Sequence, residues 1–271
     1  MPRRCEIGAT MFELHGKRAL VCGSTQGIGK SCAQTLARQG AALTLLARNE
    51  TALAGTARGI AQLTGAAVDH LCADFSDPDA LRARVEQRVQ RDGGFDILVN
   101  NTGGPPSGPL FDAPGEAFLK AITMHVLCNQ ALAQALVPGM KLRGWGRIIN
   151  VISTSVREPI PGLGVSNTTR AAVAGWAKTL SRELAPLGIT VNNVLPGYTD
   201  TARLRSLFEK KAEREGSSAD EVAEQSRQAV PLGRFARPEE IAAAVAFLAS
   251  PEASYVSGVS LAVDGGRMAS I

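Results

Sequence analysis

An apolar run, Ala19-Leu20-Val21, leads straight into Cys22-Gly23-Ser24-Thr25-Gln26-Gly27-Ile28-Gly29, and a helix-like stretch follows over 30–39. Strand, glycine-rich turn, helix is the order that a phosphate-binding turn requires. Gly23 permits the tight turn, and Gly27 lets backbone approach a pyrophosphate with no Cβ between them. Gly29 lets the helix pack closely on the strand. Ser24, Thr25, Gln26 and Ile28 fill the turn, and the free N–H groups and dipole of the helix start favour an anion. The spacing is G-x3-G-x-G. Three glycines alone also suit a purely steric turn, so the rest of the chain has to decide the matter.

Short apolar runs alternate with longer helix-like segments from residue 17 to the end. That alternation predicts a parallel sheet covered on both faces. Strands are expected over 19–22, 43–47, 68–72, 97–100, 148–152, 190–195 and 260–263. Most are continuous apolar runs, as strands buried on both faces should be. Helices are expected over 30–39, 50–63, 78–91, 115–142, 167–187 and 238–249. The fold class is α/β, a single doubly wound parallel sheet in three layers. No repeat, charge run or Pro/Gly/Ser linker divides the 271 residues. The domain is expected over 12–271, with 1–11 as a loose extension. Residues 202–228 add a charged helical segment between the last two strands. In an open sheet ligands bind at the carboxyl ends of the strands, so this insertion is expected on the substrate side; a surface hairpin with no role is the alternative.

A formal charge of +4, with acids and bases interspersed as in Glu209-Lys210-Lys211, excludes the clustered basic face of a nucleic-acid binder. Five cysteines with no C-x-x-C pair argue against a disulfide framework or a zinc site and for a reducing, cytoplasmic setting. No metal site is expected. No secretory signal is visible at the N-terminus. The most apolar helix, 241–249, is too short to cross a bilayer.

The motifs, in their order and spacing, resemble the classical short-chain dehydrogenase/reductase family over nearly the whole chain. The glycine turn is similar to T-G-x3-G-I-G, with Cys22 in place of the threonine. Asp74, followed by Phe75, matches the acidic residue after the third strand that contacts adenine in the family. Asn100-Asn101-Thr102-Gly103 resembles N-N-A-G, which stabilises the sheet and borders the cofactor. Pro196-Gly197-Tyr198-Thr199-Asp200-Thr201 is similar to the P-G-x3-T stretch that meets the nicotinamide carboxamide. Arg234, Pro238-Glu239-Glu240 and Val263-Asp264-Gly265-Gly266 match the family's ending. The resemblance implies a Rossmann-type fold, a nicotinamide cofactor, a small-molecule substrate and a homodimer or homotetramer.

Charge bears on which cofactor. A carboxylate at the end of the second strand would accept hydrogen bonds from the ribose 2′-hydroxyl of NAD. Here that position is Ala47 and Arg48 follows. A guanidinium is matched to a 2′-phosphate, so NADP(H) is expected over NAD(H); the alternative makes Arg48 an exposed strand-end charge.

The catalytic pattern departs from the family. Ser153 falls where the family's serine would be. Where the tyrosine belongs stands Ser166, and four residues on, in place of the lysine, stands Arg170. His125 takes the place of the asparagine on the fourth helix. Serine is a far weaker acid than tyrosine, and an arginine cannot give up its proton. Arg170 can still hold ribose hydroxyls and keep the site positive. His125, with an ordinary pKa near 6.5, is the candidate proton donor, with Ser153 orienting the substrate oxygen. A nearby Arg170 would depress that pKa and oppose an imidazolium. The alternatives are a space-filling histidine and a Ser153 that satisfies backbone groups. Two functions therefore stand side by side. One is an NADP(H)-dependent oxidoreductase of a carbonyl or alcohol with altered proton transfer, whose site would also serve reduction of an activated C=C bond. The other is a cofactor-binding relative without hydride transfer, acting as a sensor or an assembly subunit.

Overall fold

The computed structural model describes residues 12–270; the extension expected over 1–11 lies outside them. Seven strands run parallel in the order β3-β2-β1-β4-β5-β6-β7. They are β1 (Arg18–Cys22), β2 (Ala42–Ala47), β3 (Val68–Cys72), β4 (Ile97–Asn100), β5 (Gly146–Val151), β6 (Ile189–Pro196) and β7 (Ser260–Val263). The helices are α1 (Gly27–Arg38), α2 (Glu50–Thr64), α3 (Pro78–Asp92), α4 (Gly115–Ile122), α5 (Cys128–Arg143), α6 (Gly164–Leu184), α7 (Ala202–Glu215), α8 (Ala219–Gln228) and α9 (Pro238–Ala249). The chain reverses direction across the sheet between β1 and β4, which opens a crevice above their carboxyl ends.

The alternation of strand side chains explains the three layers. Ala19 and Val21 of β1 join Cys32 and Leu36 of α1, Leu53 and Ile60 of α2, and Ile241 and Val245 of α9 in one buried cluster. Leu20 and Cys22 point the other way, to Leu81 and Val85 of α3, Leu132 and Leu136 of α5, and Ala177 and Leu184 of α6. With 4% aromatic residues, these layers are packed almost wholly by aliphatic side chains. Local signals set the helix ends. Asn49 and Asp77 cap α2 and α3 through their side-chain oxygens, and Pro78 occupies the first turn of α3.

Four boundaries differ from expectation. Helix α1 starts at Gly27, so the last two turn glycines already belong to it. The single helix expected over 115–142 is interrupted by one π turn, Thr123–Leu127. Such turns insert a residue and re-aim the side chains on them. The segment 202–228 is two helices: Gly216 adopts φ 66° after α7, and a Ser218–Glu221 capping box starts α8. Helix α6 begins at Gly164, which places Ser166 in its first turn.

A polar ladder crosses the buried sheet below the crevice. Asn100 Nδ2 donates to Asn150 Oδ1 (2.8 Å), Asn150 Nδ2 to Asn193 Oδ1 (2.9 Å), and Asn193 Nδ2 to Ser260 Oγ (3.2 Å). The residues stand in register on β4, β5, β6 and β7, so each buried amide meets the next.

The glycine turn leaves no room for side chains. A Cβ on Gly29 would lie 2.2 Å from the Gly23 carbonyl oxygen, whereas one on Gly55, inside α2, meets nothing within 4 Å. Gly29→Ala should therefore cost about 1–3 kcal/mol or more through overpacking. Gly55→Ala should add roughly 0.5–1 kcal/mol by removing unfolded-state freedom from a helix interior. Urea denaturation of both variants checks this pair of opposite signs.

Candidate active site

A cleft of about 730 Å³ lies over the carboxyl ends of the strands, within the size range of small-molecule sites. Its floor is the glycine turn. Helix α1 starts there with no side-chain cap and no acidic residue in its first turn, so its first N–H groups and its positive dipole end face the cleft unopposed. A Cβ on Gly27 would come within 3.3 Å of Thr201 on the opposite wall. This is a cradle open to backbone approach, and an anion fits it. Asn101 Nδ2 lies 3.4 Å from the Cys22 carbonyl and 3.3 Å from that of Gly23; its amide is spent on locking the turn.

Nearly every residue expected at the site lines this one cleft: Gly23, Thr25, Gln26, Gly27, Ile28, Arg48, Asp74, Phe75, Asn101, Thr102, Gly103, His125, Ser153, Ser166, Arg170, Pro196, Gly197, Thr199 and Thr201. Two do not. Ser24 is fully buried with its hydroxyl unpaired, and Gly29 packs beneath the turn. At the β2–β3 end, Arg48 is exposed and forms no ion pair among the described residues. Beside it Asp74 accepts from the Ser76 N–H through one oxygen (3.0 Å), leaving the other free. At the β6 end, Thr201 caps α7 through the Leu204 N–H (3.3 Å), and Thr199 is buried against the Gly197 carbonyl (3.2 Å).

At the β4–β5 end the side chains are polar, with Arg170 buried and Ser153 and Ser166 half-buried. Arg170 on α6 donates from Nη1 to the Val151 carbonyl (2.9 Å) and from Nη2 to that of Thr102 (3.4 Å). Burial, and then the Arg203 charge, pull its pKa down to about 10, so it stays cationic at neutral pH. Ser166 precedes it by one helical turn on the same face, and its hydroxyl has no partner among the described residues. Ser153 Oγ accepts from the Ser155 N–H (3.1 Å) and keeps its own proton free. Both sequence readings of Ser153 are thus compatible with one geometry.

His125 lines the same cleft. It sits on the π turn, which packs against α6, and it is buried. Its pKa falls to about 3, first through burial and then through the Arg170 charge, against a hydrogen bond to the Gly103 carbonyl. At neutral pH it is a neutral imidazole and holds no cationic proton to deliver.

The sequence reading also missed Lys120 on α4 and Arg203 on α7, both in the cleft wall. One signal for Arg203 was present. It is a cation in the first turn of a helix, where the dipole disfavours one, and that turn holds no acid.

Comparison with known proteins places this cleft in context. A family model described as enoyl-(acyl carrier protein) reductase matches residues 23–267. The 3-oxoacyl-(acyl-carrier-protein) reductase FabG of Vibrio cholerae is 35% identical over 257 residues, 94% of this chain and 98% of the relative. Dehydrogenase/reductase SDR family member 4 of Bos taurus is 34% identical over 259 residues, 94% and 88%. Among solved structures, L-sorbose reductase from Gluconobacter frateurii, complexed with NADPH and L-sorbose, superposes with a TM-score of 0.90 at 32% identity. The match covers 97% of this chain and 100% of that one.

Because the folded pKa of His125 lies below its ordinary 6.5, the unfolded chain binds the proton first. Its contribution to stability is therefore complete above pH 6.5 and is lost as pH falls toward 3. In urea denaturation between pH 7.5 and pH 4, wild type should lose stability more steeply than His125→Asn. Parallel slopes would mean that the imidazole is not held neutral.

Proposed function

The chain belongs to the short-chain dehydrogenase/reductase family, and on that premise we propose that it is an NADP(H)-dependent oxidoreductase acting on a carbonyl or alcohol carbon with an altered proton-transfer apparatus. One observation carries the proposal: the uncapped start of α1, the unpaired Arg48 and the polar Ser153–Ser166–Arg170 group line one continuous cleft. The first relatives span this chain almost end to end, and their printed names are reductases.

The residues present fit NADP(H). Gly23, Thr25, Gln26, Gly27 and Ile28 offer backbone N–H groups and open space to a pyrophosphate. Arg48 takes the 2′-phosphate, Asp74 and Phe75 border the adenine, and Asn101, Thr102 and Gly103 line the passage between the two ends. Pro196, Gly197, Thr199 and Thr201 hold the carboxamide side, and Arg170 reaches the nicotinamide ribose. NAD(H) is the weaker fit because the end of β2 carries no carboxylate. When bound, the cofactor supplies or accepts the hydride.

The chain's own residues then handle orientation and the proton. Ser153 donates its hydroxyl to the substrate oxygen, since its lone pair is already engaged by the Ser155 N–H. Ser166 offers the second hydroxyl, one turn from a guanidinium whose fixed charge favours developing negative charge on the oxygen. His125, neutral and bonded to the Gly103 carbonyl, positions the 102–105 segment and does not act as an acid. Helix α7 forms the substrate-side wall, with Leu204 and Leu207 excluding water, and α8 contributes no residue to the cleft lining. A cytoplasmic setting and a homodimer or homotetramer accompany this reading; the oligomer is supported by the exposed apolar residues Leu119 on α4, Leu127 on the π turn and Leu142 on α5.

Fluorescence titration should give tighter binding for NADPH than for NADH. Arg48→Glu should weaken NADPH about tenfold or more, the loss of a charge-assisted hydrogen bond, with little effect on NADH. Equal affinities in wild type would remove the 2′-phosphate role. Oxidation of NADPH with a carbonyl panel should then fall about 10²-fold in kcat for Ser166→Ala. Binding without turnover across the whole panel would leave a cofactor-binding protein instead of an enzyme.

A further inference from the structure

Arg170 and Arg203 share one end of the cleft and neither has a counter-ion. The Nη2 atoms of Arg203 and Arg170 stand 3.4 and 3.7 Å from the point where a Cβ on Gly104 would be. Arg203 donates from Nη2 to the Pro105 carbonyl, and Arg170 donates to the carbonyls of Val151 and Thr102. Each guanidinium has five N–H donors, so most are uncommitted. Neither takes part in an ion pair among the described residues. Lys120 lines the same cleft, and its one carboxylate, Asp74, follows the edge strand β3. At the usual strand spacing β3 is roughly 14 Å from β4 across the sheet. Arg203 moreover stands at the positive end of α7, so the helix adds to the field where a neutralising acid would be expected.

We propose that the substrate carries a carboxylate, and that Arg203, with Arg170 and Lys120, is the group that selects it. This rests on the reading that the glycine-turn end of the cleft takes the cofactor. Two planar guanidinium forks match a carboxylate in bidentate geometry. The neighbouring walls, Pro105, Ile152, Leu163, Leu204 and Leu207, leave an apolar space for the short carbon chain. They provide no second glycine turn of converging N–H groups such as a phosphate takes. Arg203 is thus a specificity-determining residue: it reads the charged group and leaves the reacting carbon to the Ser153–Ser166 side.

The test uses NADPH-saturated protein titrated with malonate, malonamide or inorganic phosphate, followed by the thermal midpoint and repeated without NADPH. Malonate should raise the midpoint saturably. Malonamide should do nothing at tenfold higher concentration, and phosphate should need at least tenfold more than malonate. Arg203→Gln should weaken malonate about tenfold or more while leaving the NADPH dissociation constant within twofold, and Arg203→Lys should recover part of the loss. Equal effects of malonate and malonamide, a stronger response to phosphate, or unchanged malonate binding in Arg203→Gln would each overturn the assignment. Loss of NADPH binding in Arg203→Gln would overturn it too, by placing the residue in the cofactor site. The malonate–malonamide comparison in wild type does not depend on the variants folding. If NADPH binds neither wild type nor variant, the cofactor reading fails by itself, and the malonate titration without NADPH still decides the carboxylate.

Discussion

Three backbone segments meet below the cleft with no space for a side chain between them. A Cβ on Gly23 would lie 2.4 Å from the Asn101 carbonyl oxygen, and one on Gly29 would lie 2.2 Å from that of Gly23. The end of β1, the start of α1 and the end of β4 are therefore held at contact distance, and the Asn101 amide ties them. Everything at the site takes its position from this contact. It fixes where α1 presents its free N–H groups, how far the chain stands from Thr201 on the far wall, and where the 101–105 segment leaves the sheet. That segment in turn supplies the carbonyls that receive Arg170 and Arg203.

Above that contact the site is built from polar groups whose partners are mostly main-chain carbonyls. Val151 and Thr102 receive Arg170, and Pro105 receives Arg203. Carbonyl partners satisfy donors without cancelling charge. The cleft therefore keeps its positive field, and the same field with burial holds His125 neutral. A carboxylate in these positions would have stabilised the arginines and removed the field. Below, the Asn100–Asn150–Asn193–Ser260 ladder joins its side chains across four strands and leaves only the Asn100 Oδ1 at its end without a partner, which lets polar residues lie inside an otherwise aliphatic sheet.

The frame was legible in the sequence for local reasons. Seven expected strands matched seven observed ones; the central ones, such as β1 and β4, were marked by apolar runs because a strand buried on both faces needs one, while the edge strand β3 (Val-Asp-His-Leu-Cys) is only partly buried. Gly23, Gly27 and Gly29 marked the turn, because backbone contact excludes a Cβ whatever the surroundings. The break between α7 and α8 was written in Gly216 and in the Ser218–Glu221 capping box. The π turn at 123–127 was not legible: its sequence suits an α-helix, and the extra residue arises where the helix packs on α6. Nor was the asparagine ladder, whose members lie 50 and 43 residues apart and meet only through strand register.

The sequence by itself determined the α/β alternation, the glycine turn, the absence of a carboxylate at the end of β2, and the spacing of Ser166 and Arg170 by one helical turn. These are properties of residue type and spacing. Only the tertiary structure decided what surrounds the polar groups. His125 has an ordinary pKa near 6.5, and burial beside Arg170 pulls it down to about 3. Arg203 reads as one more charge on a solvated helix and becomes half of an uncompensated pair facing the cleft. Protonation and counter-charge depend on what surrounds a group within a few ångströms, and those neighbours come from strands and helices far apart in the chain.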